Sequence, residues 1–368
     1  VLAALFLPLI GCAPQEPRRP FPAPMRPGSS LAPPPAALPA APVTARVGLL
    51  LPLSGGNAPL GQAMLQAAEL ALYDQGDRGV AFLPRDTRGT PAGAEAAARA
   101  AAEEGARALA GPLTLGETAA GARATGLPVF AFTSDETQAS AQVWVLGVTP
   151  AQMVRRVMQA MGEQGVRRFG LVAADDAFGQ RLAAAMRATA SLAGWPAPVI
   201  HLAGRGGDVG AAAEAMRAGE AQAVLIGHAG EAARSLAQAL AALPSPPRLL
   251  GTTLWAAEPG LGNEPALAGA LFPGPDPAGR ERFDSQYAAA FESRPPRLAG
   301  AAYDAAALAA RTAREGRPPV GLAFLGADGP VRLLEGGQVQ RGLALFALRP
   351  GGEPMLVQPA PVPGPAGS

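Results

Sequence analysis

The run Arg46-Val47-Gly48-Leu49-Leu50-Leu51-Pro52-Leu53-Ser54-Gly55-Gly56 sets how this chain is to be read. A β-type apolar stretch ends in proline, serine and glycine, residues that stop a strand and open a turn. A helical pattern follows from about Leu60 to Tyr73. Strand, turn and helix form the unit, and it recurs. Arg107 to Ala110 leads through Gly111-Pro112-Leu113-Thr114 into a helix, and Pro128 to Phe132 leads into Thr133-Ser134-Asp135. Such alternation predicts an α/β fold of parallel sheets flanked by helices.

After Val148 the pattern begins again. Thr149-Pro150-Ala151-Gln152 offers a capping box with proline at the first helical position, opening a helix to about Gln164. Strands are predicted at Phe169–Ala173, Ala223–Gly227 and Arg248–Gly251, with helices at Phe178–Ala193 and Glu231–Leu243. An apolar strand around Leu267–Phe272, helices at Gly279–Ser293 and Gly300–Arg314, and a hairpin-like end complete the pattern. In that end, Gly329–Leu333 and Val339–Leu348 flank Glu335-Gly336-Gly337. Two successive α/β halves are the natural parse.

Composition narrows the function. Hydrophobic residues make up 49% of the chain, enough to build a core, and net charge is +1. All 30 basic residues are arginine, scattered without an aromatic-interleaved stripe, so no nucleic-acid partner is expected. Cys12 is the one cysteine, which rules out an intramolecular disulfide. Leu9-Ile10-Gly11-Cys12 closes a short apolar run and resembles a bacterial lipobox, in which the peptide before the cysteine is removed and the cysteine is acylated. Residues 1–11 are then a signal-peptide remnant and Cys12 the lipidation site. Residues 12–44 are dense in proline and form an extended tether, reaching on the order of 100 Å at ~3.1 Å per residue. Residues 350–368 are expected to be a disordered tail.

The globular region resembles the type I periplasmic binding proteins of the leucine/isoleucine/valine group. The resemblance rests on Val47–Gly55, Gly61 and Ala67-Ala68-Glu69-Leu70-Ala71, then Gly111–Thr114, Leu127–Phe130, Asp175–Gly179 and Tyr303-Asp304-Ala305. Gly251-Thr252-Thr253-Leu254-Trp255 and the glycine-rich end look most like the subgroup of penicillin-binding protein activators, lipoproteins with this same fold. The family implies two lobes joined by three crossovers: residues 45–148 plus 276–327, and residues 149–275 plus 328–349. It implies a ligand cleft at the carboxyl ends of the strands, faced here by Ser54, Thr114, Thr133, Ser134, Phe178, His228 and Trp255. Each has a structural alternative. Thr114 with Glu117 fits a capping box, Ser54 closes a turn, His228 reads as a loop histidine ahead of a ligand contact, and Trp255 as a packing residue ahead of ligand stacking.

Two departures from the amino-acid binders stand out. The family commonly has tyrosine where Phe178 precedes Gly179. It also answers the substrate ammonium with an acid in a Gly-Glu-Gly loop, where this chain has Gly251-Thr252-Thr253. An unpaired ammonium is costly to bury, so a free amino acid is not the expected ligand unless Glu258 or another carboxylate supplies the charge. No Gly-x-Ser-x-Gly, His-Glu-x-x-His or phosphate-loop motif occurs, and Asp175-Asp176 stands at a helix start where capping is the expected role. With His201 as the only other histidine, neither a metal nor a cofactor is expected.

The expected protein is a non-enzymatic lipoprotein that regulates a penicillin-binding cell-wall synthase. The alternative is a solute-binding receptor of an ABC permease for amino acids, amides or short peptides. Either would be periplasmic and anchored by lipid, and Ala13 after the cysteine fits outer-membrane sorting.

Overall fold

The computed structural model describes residues 45–364, apart from 77–78, 205–207 and 259. Cys12 and its tether lie outside the described residues. The first sheet is built from β1 (Ala45–Leu51), β2 (Val80–Asp86), β3 (Ala108–Ala110), β4 (Val129–Ala131) and β5 (Val143–Val145). They run parallel in the order β2-β1-β3-β4-β5. Val47, Leu49 and Leu51 enter one core, while Leu50 enters the other. The strand is therefore covered on both faces and reads as an unbroken apolar run.

The helices α1 (Ala58–Gln75), α2 (Pro91–Glu103) and α3 (Leu115–Thr125) come from the same half of the chain. Gly48 is required where α2 crosses β1, because a Cβ there would meet Ala101 Cβ at 2.7 Å. The face opposite α2 and α3 is closed by α1.

The second half supplies α4 (Pro150–Glu163), β6 (Phe169–Ala174), α5 (Ala177–Leu192), β7 (Val199–Ala203), α6 (Val209–Ala218), β8 (Ala223–Ile226), α7 (Gly230–Ala241), β9 (Arg248–Leu250) and β10 (Leu271–Gly274). Then α8 (Pro277–Phe291) and α9 (Ala299–Glu315) return to lobe one, where Phe283, Tyr287 and the alanines of α9 pack with Met64 and Leu49. The chain ends in β11 (Ala323–Gly326), β12 (Gly329–Leu333), β13 (Val339–Arg341), β14 (Ala344–Ala347) and β15 (Met355–Gln358). The second sheet has the order β15-β14-β10-β9-β8-β6-β7, parallel from β10 to β7 and antiparallel at β14 and β15.

The expected two-lobed α/β fold is present, with three passages of chain between lobes. Two boundaries differ from expectation. Residues 328–341 were expected in lobe two, yet Val331 and Leu333 lie in the lobe-one core, within a small antiparallel sheet of β11, β12 and β13. Val339–Leu348, expected as one hairpin arm, divides: β13 pairs with β12 in lobe one, and β14 joins β10 in lobe two. The tail is likewise not loose throughout, because β15 pairs with β14. Its Met355-Leu356-Val357 supplies β-forming residues among the prolines and glycines that dominate the region.

The first and third passages are joined in the interior by one ion pair. Arg341 Nη2, at the third passage, donates to Asp304 Oδ2 at 3.1 Å and to the carbonyl of Leu146, beside the first passage, at 2.9 Å. The Ala327 N–H donates to Asp304 Oδ1 at 2.7 Å. From lobe two, Gln152 Nε2 donates to the Val339 carbonyl and Arg156 Nε to that of Leu343. The Asp276 N–H, at the second passage, donates to the Asp328 carbonyl.

Asp304 and Arg341 are 0% and 1% exposed, and Arg341 Nε and Nη1 have no hydrogen-bond partner among the described residues. Burial pushes the Asp304 carboxyl from 3.8 up to about 6, with Arg341 pulling the other way. A carboxyl raised in the folded state contributes stability that is present below its unfolded value of 3.8 and lost as pH rises through about 6. Removing the arginine strands that carboxylate. Arg341→Leu should cost about 3–5 kcal/mol at pH 8 in denaturant unfolding, and the deficit should shrink towards pH 5 as the carboxyl takes a proton. A deficit independent of pH would contradict this account.

Candidate functional site

The carboxyl ends of strands from both lobes border a cleft of about 610 Å³. This lies within the range of small-molecule sites. Four of the seven expected ligand-facing residues line it: Thr114, Thr133, Ser134 and Phe178. Ser54, His228 and Trp255 do not.

Thr114 is the N-cap of α3 in a complete capping box. The Glu117 N–H donates to Thr114 Oγ1, and the Thr114 N–H donates to Glu117 Oε2 at 2.9 Å. Glu117 is itself buried and accepts from the Thr87 hydroxyl. Thr133 Oγ1 accepts from the Asp135 N–H. Both threonines thus hold their loops in shape while lining the cleft. Ser134 is exposed, and its hydroxyl has no partner among the described residues. Phe178 opens α5, half-buried, with Asp176 as the N-cap accepting from the Gly179 N–H at 2.9 Å. The capping expected at Asp175-Asp176 falls on the second residue.

The three that lie outside have structural reasons. Ser54 is exposed on the turn after β1 and is bound to Asp86, whose carboxyl is held below its usual range first by the Ser54 side chain and further by the N–H groups of Arg88, Leu53 and Ser54. Trp255 is 1% exposed in the lobe-two core beside Phe272, and its Nε1 donates to the His228 carbonyl at 2.9 Å. Gly251 exists for this tryptophan: a Cβ there would stand 2.2 Å from the indole. His228 lines a separate pocket of lobe two with His201, Asp208 and Glu231, and burial pushes its imidazole down against the pull of Asp176. Among the described residues, no group of three or more His, Cys, Asp and Glu side chains is placed to hold a metal ion.

Lobe two contributes Met153, Phe178, Thr253 and Leu254 to the cleft, all uncharged. Glu258, the carboxylate considered for an ammonium, instead accepts from the Gly230 N–H at 2.8 Å and caps α7. Lobe one adds three charged residues that the sequence reading missed: Arg280, Arg297 and Asp328. Nothing in a chain of scattered arginines distinguishes these two. Arg280 Nη1 pairs with Asp328 Oδ1 at 3.2 Å and its Nε with Asp284 Oδ1 at 2.8 Å. Beside the cleft, Arg181 of α5 bridges to buried Asp135 at 3.2 Å, an ion pair between the lobes.

Comparison with known proteins matches this architecture. Residues 44–329 match the family model described as periplasmic binding protein. No curated protein matches the chain. A putative branched-chain amino acid ABC transporter protein from Rhodospirillum rubrum is similar at TM-score 0.73 and 22% identity, covering 85% of this chain and 99% of that one. The C-domain of LpoA from Haemophilus influenzae, a regulator of PBP1A, is similar at TM-score 0.68 and 20% identity, covering 85% and 99%. A solute-binding protein from R. palustris in complex with benzoate gives TM-score 0.55 and 21% identity, covering 89% and 99%. At these identities the likeness is one of fold. With a two-lobed α/β fold and a family match over most of its length, the chain belongs to the periplasmic binding protein family.

Proposed function

We propose that the protein regulates a penicillin-binding cell-wall synthase by contact, from a lipid anchor at Cys12 in the outer membrane, and performs no catalysis. The observation that carries this reading is that, among the described residues, the cleft is lined by no carboxylate without an ion-pair partner. Asp328 is the one carboxylate lining it and is paired with Arg280. Glu258 caps a helix, and the loop where amino-acid receptors keep an acid is Gly251-Thr252-Thr253. A zwitterion would enter with its ammonium unanswered, which disfavours the amino-acid receptor. The fold likeness to the LpoA C-domain, a regulator of PBP1A, supports the choice. The Pro-rich residues 12–44 would give the domain reach from its membrane.

A second reading, a solute receptor serving a permease, draws on the size of the cleft and on the likeness to transport proteins. The two part on ligands. A receptor gains stability as it binds, about 2.7 kcal/mol at a hundredfold excess over Kd. Leucine, isoleucine and valine should leave the melting temperature of the purified protein unchanged. A clear shift, abolished by Thr114→Ala or Ser134→Ala, would favour transport.

The anchor and the partner are tested in cells. Cys12→Ala should move the protein from the membrane to the soluble periplasmic fraction, because acylation is the one membrane attachment proposed. Cross-linking of the native protein should recover a penicillin-binding synthase, and shortening residues 14–42 by half should reduce that yield while folding persists. Recovery of a permease instead, or a yield indifferent to tether length, would count against contact at a distance.

A further inference from the structure

We infer that residues 359–364 form a strap across the third passage and, together with the Arg181–Asp135 ion pair, hold the two lobes in one relative geometry. The inference concerns the motion of the lobes and does not depend on which protein the domain contacts.

The first observation is a further crossing between the lobes, made without a helix or strand. From β15, paired in lobe two, the chain continues as Pro359-Ala360-Pro361-Val362-Pro363-Gly364. Arg156 of α4 donates through Nε to the Leu343 carbonyl at 2.7 Å, and its Nη2 reaches the Pro359 carbonyl at 3.5 Å. One guanidinium therefore holds both the third passage and the segment beside it. Two residues on, the segment meets the passage directly. A Cβ on Gly342 would stand 2.2 Å from the Pro361 carbonyl oxygen and 3.4 Å from Cδ of Pro330, which belongs to β12 in lobe one. Only glycine at 342 lets the segment lie there. Ala360, Pro363 and Gly364 are half-buried. Proline at every second position fixes φ and removes N–H donors, so the segment is stiff and gives up little conformational freedom in lying against the passage.

The second observation is independent of the first and lies beside the cleft. Asp135 belongs to the loop after β4 in lobe one and Arg181 to α5 in lobe two, and their Oδ2 and Nη2 meet at 3.2 Å. The Asp135 side chain is 7% exposed, and Oδ1 accepts from the Thr137 N–H at 3.1 Å and the Thr137 hydroxyl at 2.8 Å. Both carboxylate oxygens are thus engaged out of water. Moving the lobes apart at this point would strand a buried carboxylate without its cation, which is costly. Rotation about the passages must displace the strap, and separation of the lobes must break the ion pair.

Double electron–electron resonance on the purified protein tests this, with spin labels at Tyr73→Cys in lobe one and Leu192→Cys in lobe two, in a Cys12→Ala background. The two positions are 82% and 90% exposed. With strap and ion pair intact, the labelled protein should give one narrow distance distribution. Truncation after Gln358, which leaves β15 in place, should broaden it, and Gly342→Ala should do the same by driving the Pro361 carbonyl off the passage. Arg181→Gln should broaden it as well, and truncation combined with Arg181→Gln should broaden it more than either alone. Val362→Ser, at a side chain 70% exposed, should change nothing. Circular dichroism should show the two point variants folded, so that the test stands even if the truncated chain does not fold. The inference fails if the intact protein already shows two populations, or if either Gly342→Ala or Arg181→Gln leaves the distribution as narrow as before. It fails equally if Val362→Ser broadens the distribution as much as Gly342→Ala does. None of these outcomes bears on synthase cross-linking, so the two readings stand or fall separately.

Discussion

Asp304 and Arg341 meet where no water reaches, and the lobe-one ends of the first and third passages are joined at that meeting. The arginine joins the third passage to the carbonyl of Leu146 beside the first, while the aspartate holds the Ala327 N–H. Two charges removed from water are costly, and their attraction offsets this only when the remaining donors and acceptors are also engaged. Here two arginine nitrogens have no partner among the described residues, so the pair is a weak source of stability. Its value lies in position. Neither charge can leave the other without being stranded, and three backbone segments are thereby held in one geometry.

That geometry sets what the cleft can do. The loops after β3 and β4 are shaped by their own threonines, which act as caps and also line the cavity. The carboxylates that could have answered an ammonium are engaged elsewhere: Glu117 in its capping box, Glu258 on α7, Asp135 with Arg181 and Asp328 with Arg280. The cleft thus presents hydroxyls, apolar walls and the charged group of Arg280, Arg297 and Asp328. A site with this inventory retains the family's architecture while lacking the charge that a free amino acid needs.

Much of the fold was legible because it depends on local signals. Thr149 and Gln152 form the capping box that their spacing predicts, with Pro150 at the first helical position. The boundaries of α1, α5, α7 and α9 fall within a few residues of expectation because turns and caps mark them. Elements built from alanine were harder to see. In α2, Ala94, Ala97, Ala98 and Ala101 form the buried face, but alanine on the outer face removes the contrast that periodicity needs. The site was less legible than the fold. Thr114 and Thr133 could be placed because they follow strands, whereas Arg280, Arg297 and Asp328 reach the cleft from a later segment that returns to lobe one. Trp255 read as a packing residue ahead of a cleft residue, and its burial against Gly251 in the lobe-two core agrees. The pairing of Asp304 with Arg341 is a fact of three-dimensional packing, invisible in a pattern of spacing.

Native-state amide hydrogen exchange tests the central claim most directly, because it reads the passages between lobes residue by residue. If the buried ion pair fixes them, the amides of Ala327, Asp276 and Gly342, each donating to a carboxylate or carbonyl there, should exchange as slowly as those of β1. Exchange of these three as fast as the amide of Gly352 in its exposed turn would show that the passages open independently of the lobes and would contradict the account.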